Sequence, residues 1–239
     1  MHQLYIDGPP AQPGQRVALG GEERHYLGRS LRARPGERFR LAWPDGEARV
    51  AVLEGFDGDN AWLRVEAPSP DAADPYTAHL LLCPPKGDAL DQALEQAAQL
   101  GVASVRLARS ERTLANLEGA ALDPARLERR LREACRQCLR ARVPELRPWQ
   151  PLAEVLRAPA QGTRLFLSER GGRPLKAALP PPGASLELLI GPEGGFAEHE
   201  LALGLAAGWS AVTLGPRALK VPTAVAVALG GLQLLAADA

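Results

Sequence analysis

Three short stretches carry residue types that handle small ligands: LFLSERGG from Leu165, LLIGPEGGF from Leu188 and VTLGPRALKVPTA from Val212. In each, an apolar run stops at glycine, at proline or at a polar end that leads into glycine. Glycine permits positive φ and lets backbone N–H groups approach a ligand closely. One such loop is an ordinary tight turn. Three at successive strand ends point to a site.

Phosphate is the first candidate for a glycine-rich loop. Glu193, set among Gly191, Pro192, Gly194 and Gly195, would oppose a polyanion. The chain also lacks G-x-x-x-x-G-K-[ST] and G-x-G-x-x-G. A cationic or neutral ligand with hydrogen-bonding edges fits better. S-adenosylmethionine, with its sulfonium and purine, has that chemistry.

The elements that must hold these loops follow from periodicity. Up to about residue 67 the chain reads as β-rich. RFRLAWPDGEARVAVLEG has two alternating runs around PDGE, the pattern of a hairpin, and NAWLRVEA is a third strand. GEERHYLGRSLRARPGE reads as a short helix closed by Pro35-Gly36. A small barrel is expected. APSPDAADPY, Ala67 to Tyr76, is a linker composition and marks the domain boundary.

Beyond it, strands alternate with helices. Asp88 can cap a helix ending at Gly101, and Asp123-Pro124 opens a long helix to about Arg142. TRLFLSER, SLELLIG and SAVTLG are strands, a helix runs from about Ala197 to Ala207, and another starts near Pro222. The alternation predicts an α/β domain with a mostly parallel sheet. Ligands of such sheets sit beyond the carboxyl ends of the strands.

The 239 residues are 46% hydrophobic and 23% charged, with 28 basic and 28 acidic side chains, so the chain is globular and has no bulk charge to attract nucleic acid. Lys86, Lys176 and Lys220 are its lysines; the other basic residues are arginine. The start has no signal-peptide pattern, and the apolar tail is short for a membrane span. Three cysteines imply no disulfide framework. A cytoplasmic protein is expected. In CRQC, Cys135 and Cys138 share a helical stripe with Leu127, Leu131 and Leu139, which predicts buried apolar thiols. His2, His25, His79 and His199 form no cluster, so no metal site is expected.

IGPEGGF followed by a helix and LGPRALKVPTA closely resembles the RsmE-type methyltransferases of the SPOUT class. HYLGRSLRARPGE, PPKGDALDQALEQAAQLGV, RSERT and EACRQCLRARVPEL match further stretches, so the resemblance spans nearly the whole chain. It implies a PUA-like β-barrel RNA-binding domain over residues 1–70. Residues 71–239 would be a SPOUT domain with a C-terminal trefoil knot. It implies methylation of uridine N3 in small-subunit (16S) ribosomal RNA with S-adenosylmethionine as cofactor, and a homodimer. Small residues in the last helix, Ala224, Ala226, Ala228, Gly230 and Gly231, are compatible with close packing of that kind.

Carried onto this chain, the resemblance places the cofactor against Leu167, Ser168, Glu169, Ile190, Gly191, Pro192, Glu193, Gly194 and Gly195. Leu214, Gly215, Leu219, Val221, Thr223 and Ala224 complete that set. Arg217 and Lys220 are the candidates for the chemistry, as cations that favour the uracil anion or hold its phosphate. Arg29, Arg32, Arg34 and Lys86 are candidate RNA contacts, with Arg29 and Arg32 on one helical face. Glu193 is expected to fix its loop through backbone N–H groups or to face the cofactor's positive end.

The chain departs from the family motif Arg-Ile-Leu-Arg-x-Glu-Thr-Ala. The second arginine is Lys220, and the acidic residue is Pro222, which suits a helix's first turn. Ala197 stands where a serine cap is usual, at a cost of roughly 1 kcal/mol. These changes leave two other readings open: a SPOUT methyltransferase with another RNA target, and an RNA-binding paralogue without transferase activity.

Overall fold

The structure is a computed structural model that describes residues 1–114, 122–169 and 171–237. The chain divides into two compact units, one of Met1–Ala73 with Arg132–Val143, the other of Asp74–Leu131 with Pro144–Ala239. The division falls three residues beyond the expected boundary. It also assigns Arg132–Val143 to the N-terminal unit, which linker composition does not signal.

The N-terminal unit is built on five strands: β1 (His2–Tyr5), β2 (Arg16–Leu19), β3 (Arg38–Ala42), β4 (Ala48–Asp57) and β5 (Asn60–Pro68). Their order is β1-β3-β4-β5-β2. β1 runs parallel to β3, and the other pairs are antiparallel. The PDGE hairpin closes as the Trp43 N–H donates to the Glu47 carbonyl and the Gly46 N–H donates to the Trp43 carbonyl, each at 2.9 Å. Register shifts at Val50/Ala51 and Leu53/Gly55 bend β4. Leu4, Phe39, Leu41, Trp43, Leu53 and Leu63 fill the core.

A short helix α1 (Gly21–His25) runs into a π-helical turn, Tyr26–Ser30. Arg29 lies in that turn, whereas Arg32 lies beyond it with φ +52°. The two therefore do not share a regular helical face. Arg29, Arg32 and Arg34 are all exposed.

The C-terminal unit has seven strands: β6 (Thr77–Leu82), β7 (Ser104–Arg109), β8 (Glu145–Pro151), β9 (Thr163–Leu167), β10 (Arg173–Pro174), β11 (Ser185–Ile190) and β12 (Ser210–Thr213). They lie in the order β10-β12-β9-β11-β6-β7-β8, and every pairing is parallel. β6 and β11 are nearly continuous apolar runs, as strands covered on both faces must be. Among the described residues the helices with them are α2 (Asp88–Gln99), α3 (Pro124–Cys138), which belongs to this unit as far as Leu131, α4 (Leu152–Arg157), α5 (Glu198–Ala206) and α6 (Val221–Ala237). α2 packs on α6, and α4 on α5. Leu81, Leu189 and Phe166 join Leu152, Val155, Leu156 and Trp209 in one cluster.

Two buried groups pin this unit. Arg164 Nε donates to Glu187 at 2.8 Å, and its guanidinium lies 5.0 Å from the Trp209 ring centre. Trp209 Nε1 in turn donates to the Leu156 carbonyl at 3.2 Å. Among the described residues, no helix is long and apolar enough to cross a membrane.

Several local expectations need correction. Asp88 is the first residue of α2, and its cap position is Gly87 at φ +60°, without a side-chain cap bond. Glycine there supplies the turn that an aspartate cap was expected to make. α3 ends at Cys138 rather than near Arg142, because Leu139 turns to φ +59°. Cys135 is buried as expected, but Cys138, at the last turn of the helix, is exposed.

Candidate functional site

In a parallel sheet all carboxyl ends lie on one edge. β12, β9 and β11 are adjacent there, so the three glycine-bearing loops converge. They enclose a pocket of about 460 Å³, a size suited to a small-molecule cofactor. Its floor is apolar: Ile190, Val221 and Ala224 are buried, and Leu167, Leu214 and Leu219 are half-buried. Its rim is charged, with Arg112, Arg217, Glu169, Glu193 and Glu198 all exposed.

The loop after β11 is shaped from within. Gly195 donates its N–H to the Pro192 carbonyl at 2.9 Å and sits at φ +66°, a conformation that favours glycine. A Cβ on Gly191 would come within 2.9 Å of the Phe196 ring. Glycine at that position lets the ring fold back over the loop. Phe196 meets Phe166 edge-on, with ring centres 6.0 Å apart.

Glu200 completes this loop. Its Oε2 accepts the Ala197 N–H at 2.9 Å, the half of a capping box that an alanine at the cap leaves intact. Its Oε1 accepts the Glu111 N–H at 2.8 Å. Glu193 is exposed, and its Oε1 takes a long bond of 3.4 Å from the Lys86 N–H, in the loop after β6. A backbone N–H does reach Glu193, but from another loop rather than its own.

The loop after β12 closes on Thr213. Its hydroxyl donates to the Gly215 carbonyl at 3.0 Å and accepts the Gly215 N–H at 3.3 Å. The Lys220 carbonyl accepts the Ala224 N–H at 2.8 Å and so opens α6. Pro222 is buried in the first turn, where no backbone N–H is needed.

The structure gathers every expected cofactor residue around the pocket except Thr223, which is exposed on α6 outside the lining. Arg217 lines it; Lys220 is exposed and does not. Arg170, within LFLSERGG, lies outside the described residues. Arg112, Phe196, Glu198, Leu201 and Thr213 also line the pocket and were not anticipated. For Arg112 the signal was present in RSERT, which gave no hint of a role.

A pocket with an apolar floor, glycine backbone on one wall and no phosphate-binding lysine can take a flat heterocycle with a cationic chain. Its rim carboxylates favour that charge, and its rim guanidinium groups favour an anionic partner at the mouth.

Comparison with known proteins agrees with this geometry. Residues 72–233 match the family described as RNA methyltransferase domain, and residues 19–66 match RNA methyltransferase PUA domain. The chain is 33% identical to the ribosomal RNA small subunit methyltransferase E of Mycobacterium bovis, over 97% of this chain and 91% of the relative. It is 29% identical to that of Synechocystis, over 92% and 73%. The crystal structure of the Neisseria gonorrhoeae ribosomal RNA small subunit methyltransferase E, bound to S-adenosylmethionine, superposes with TM-score 0.89 at 30% identity, over 98% of both chains. A Legionella pneumophila protein solved with the same cofactor gives 0.87 at 28% identity, over 97% and 96%. The N-terminal unit is therefore PUA-like, and the seven-stranded parallel sheet is that of the SPOUT class.

Proposed function

The chain belongs to the RNA methyltransferase family, and on that premise we propose that it methylates N3 of a uridine in small-subunit ribosomal RNA, using S-adenosylmethionine. The observation that carries this reading is the convergence of the loops after β9, β11 and β12 on one pocket with Arg217 at its rim. Relatives that match over nearly the full chain are named as small-subunit ribosomal RNA methyltransferases, which supports methyl transfer to that RNA.

When bound, S-adenosylmethionine supplies a methyl group activated by its sulfonium. The residues fit that ligand. Leu167, Ile190, Leu214, Leu219, Val221 and Ala224 offer apolar surface for the purine, and the backbone of Gly191 to Gly195 offers hydrogen bonds to its edge. Glu169, Glu193 and Glu198 place negative charge around the cation.

The acceptor sets the second demand. Uracil N3 is a weak nucleophile until it loses its proton, so the site must favour the ring anion. Arg217 does this by holding positive charge beside the carbonyl oxygens that flank N3, so that N3 gives its proton to solvent before it takes the methyl group. No carboxylate pairs with Arg217 among the described residues, so its charge is available. The pocket also aligns donor and acceptor for an in-line displacement. Lys220, exposed and outside the lining, serves RNA phosphate. Arg29, Arg32 and Arg34 on the N-terminal unit, and Lys86 on the C-terminal unit, are exposed and serve as further phosphate contacts, each on its own unit.

The same reading includes a knotted C-terminal segment, a homodimer and work on small-subunit RNA in the cytoplasm. Titration calorimetry with S-adenosylmethionine tests it. Saturable binding is expected, and absence of binding at millimolar cofactor would overturn it.

A further inference from the structure

Lys220 was the expected second cation of the site, yet among the described residues the cation that lines the pocket beside Arg217 is Arg112, in the loop after β7. Arg112 Nη1 donates to the Gly194 carbonyl at 3.1 Å. Its side chain lies along that glycine: a Cβ on Gly194 would stand 3.4 Å from Arg112 Cβ and 3.7 Å from Cδ. The loop is further held by the Glu111 N–H on Glu200 and by His199 facing Glu111 at 3.6 Å. The guanidinium is thus oriented by backbone, not neutralised by a carboxylate, among the described residues.

A guanidinium has five N–H donors in a fixed fork. One bond to a neutral carbonyl leaves most of them, and the whole charge, directed to what enters the exposed rim. The apolar floor suits the cofactor's purine and the rim carboxylates face its cation, which leaves the two rim guanidinium groups to the acceptor strand. Arg217 stands on the same rim, from the loop after β12.

Resting on the function proposed above, we infer that Arg112 binds a phosphodiester oxygen of the acceptor strand, so that Arg112 and Arg217 hold the RNA from two sides of the pocket mouth. Arg112 is then a residue of RNA binding and positioning, and Lys220 is peripheral to it. A loop brace would instead serve the cofactor alone, since Gly194 belongs to the cofactor wall.

Arg112→Gln separates the two roles. Glutamine can still donate to the Gly194 carbonyl, but it has no charge for a phosphate. Cofactor affinity is measured by calorimetry, and RNA affinity by fluorescence anisotropy on a small-subunit ribosomal RNA transcript at several salt concentrations. The variant should bind S-adenosylmethionine as the native chain does and bind RNA about tenfold more weakly, the loss expected for a charged hydrogen bond. The slope of log affinity against log salt should fall by about 0.7, one phosphate contact on a single strand. Arg112→Lys should recover the slope but only part of the affinity, because a lysine keeps the charge without the fork.

Unchanged RNA affinity, or an equal loss of RNA and cofactor binding, would overturn the inference and leave the proposed function standing. A native chain that binds neither RNA nor cofactor would overturn both.

Discussion

Glu200 Oε1 accepts the backbone N–H of Glu111 at 2.8 Å, which ties the loop after β7 to the first turn of α5. The other oxygen holds the Ala197 N–H, and the side chain is buried. Glu200→Ala leaves both N–H groups without their acceptor, a loss of about 2–4 kcal/mol. Urea unfolding should show a lower midpoint, and calorimetry a weaker cofactor, because the glycine loop joins α5 directly. Glu200→Gln, which keeps one good acceptor, should lose less. An alanine variant of native stability would show that the two bonds are not made.

Gly191→Ala places a methyl group 2.9 Å from the Phe196 ring. The ring must move and lose its edge-on contact with Phe166. The expected result is a fall of tenfold or more in S-adenosylmethionine affinity, with stability lowered by about 1–3 kcal/mol for the overpacking. Cofactor binding equal to that of the native chain would show that the loop does not depend on this packing.

Asp91 on α2 receives Arg126 at 2.6 Å and Arg130 at 3.0 Å, both from α3. Burial alone would raise its pKa, but the two arginines outweigh it and hold the carboxyl below its ordinary value of 3.8. A depressed folded pKa adds stability above the unfolded value, and that stability is lost as pH falls through the folded value. Asp91→Asn should therefore be less stable than the native chain at neutral pH. The gap should close as pH drops below about 4. A gap that stays constant into acid would contradict the pairing.

The three thiols should separate by reactivity. Cys83 and Cys135 are buried, and burial pushes both up to about 12, whereas Cys138 is exposed. A thiol reagent should label Cys138 quickly in the folded chain and all three residues in denaturant. Fast labelling of Cys135 in the native state would contradict its place in the fold.

Much of the site was legible in sequence because a glycine loop after a strand leaves a local signature. β6, β9, β11 and β12 are apolar runs with clear stops, and the loops after the last three carry the pocket. β8 and α4 were not legible. Pro148 and Pro151 disguise β8, and a proline is tolerated there because the strand lies at the sheet edge. Cys138 was misplaced because the buried face of α3, made by Leu127, Leu131, Ala134 and Cys135, stops one turn short of the helix end at Cys138.

Lys220 and Arg112 show the larger limit. Lys220 is near Arg217 in sequence yet outside the lining, since its carbonyl opens α6. Arg112 is 105 positions from Arg217 yet on the same rim, because β7 ends on the same sheet edge as β12. The bond from Arg112 to the Gly194 carbonyl carries it across to the pocket, and no local spacing records that contact.

The central claim is methyl transfer at this pocket with Arg217 favouring the acceptor anion. The direct measurement is mass-spectrometric mapping of small-subunit ribosomal RNA after incubation with S-adenosylmethionine and either the native chain or Arg217→Ala. The native chain should produce N3-methyluridine at a defined position. The variant should bind the cofactor normally and transfer at least a hundredfold more slowly, the scale of one electrostatic group in a transition state. RNA left unmethylated by the native chain, or a variant as fast as the native chain, would contradict the account.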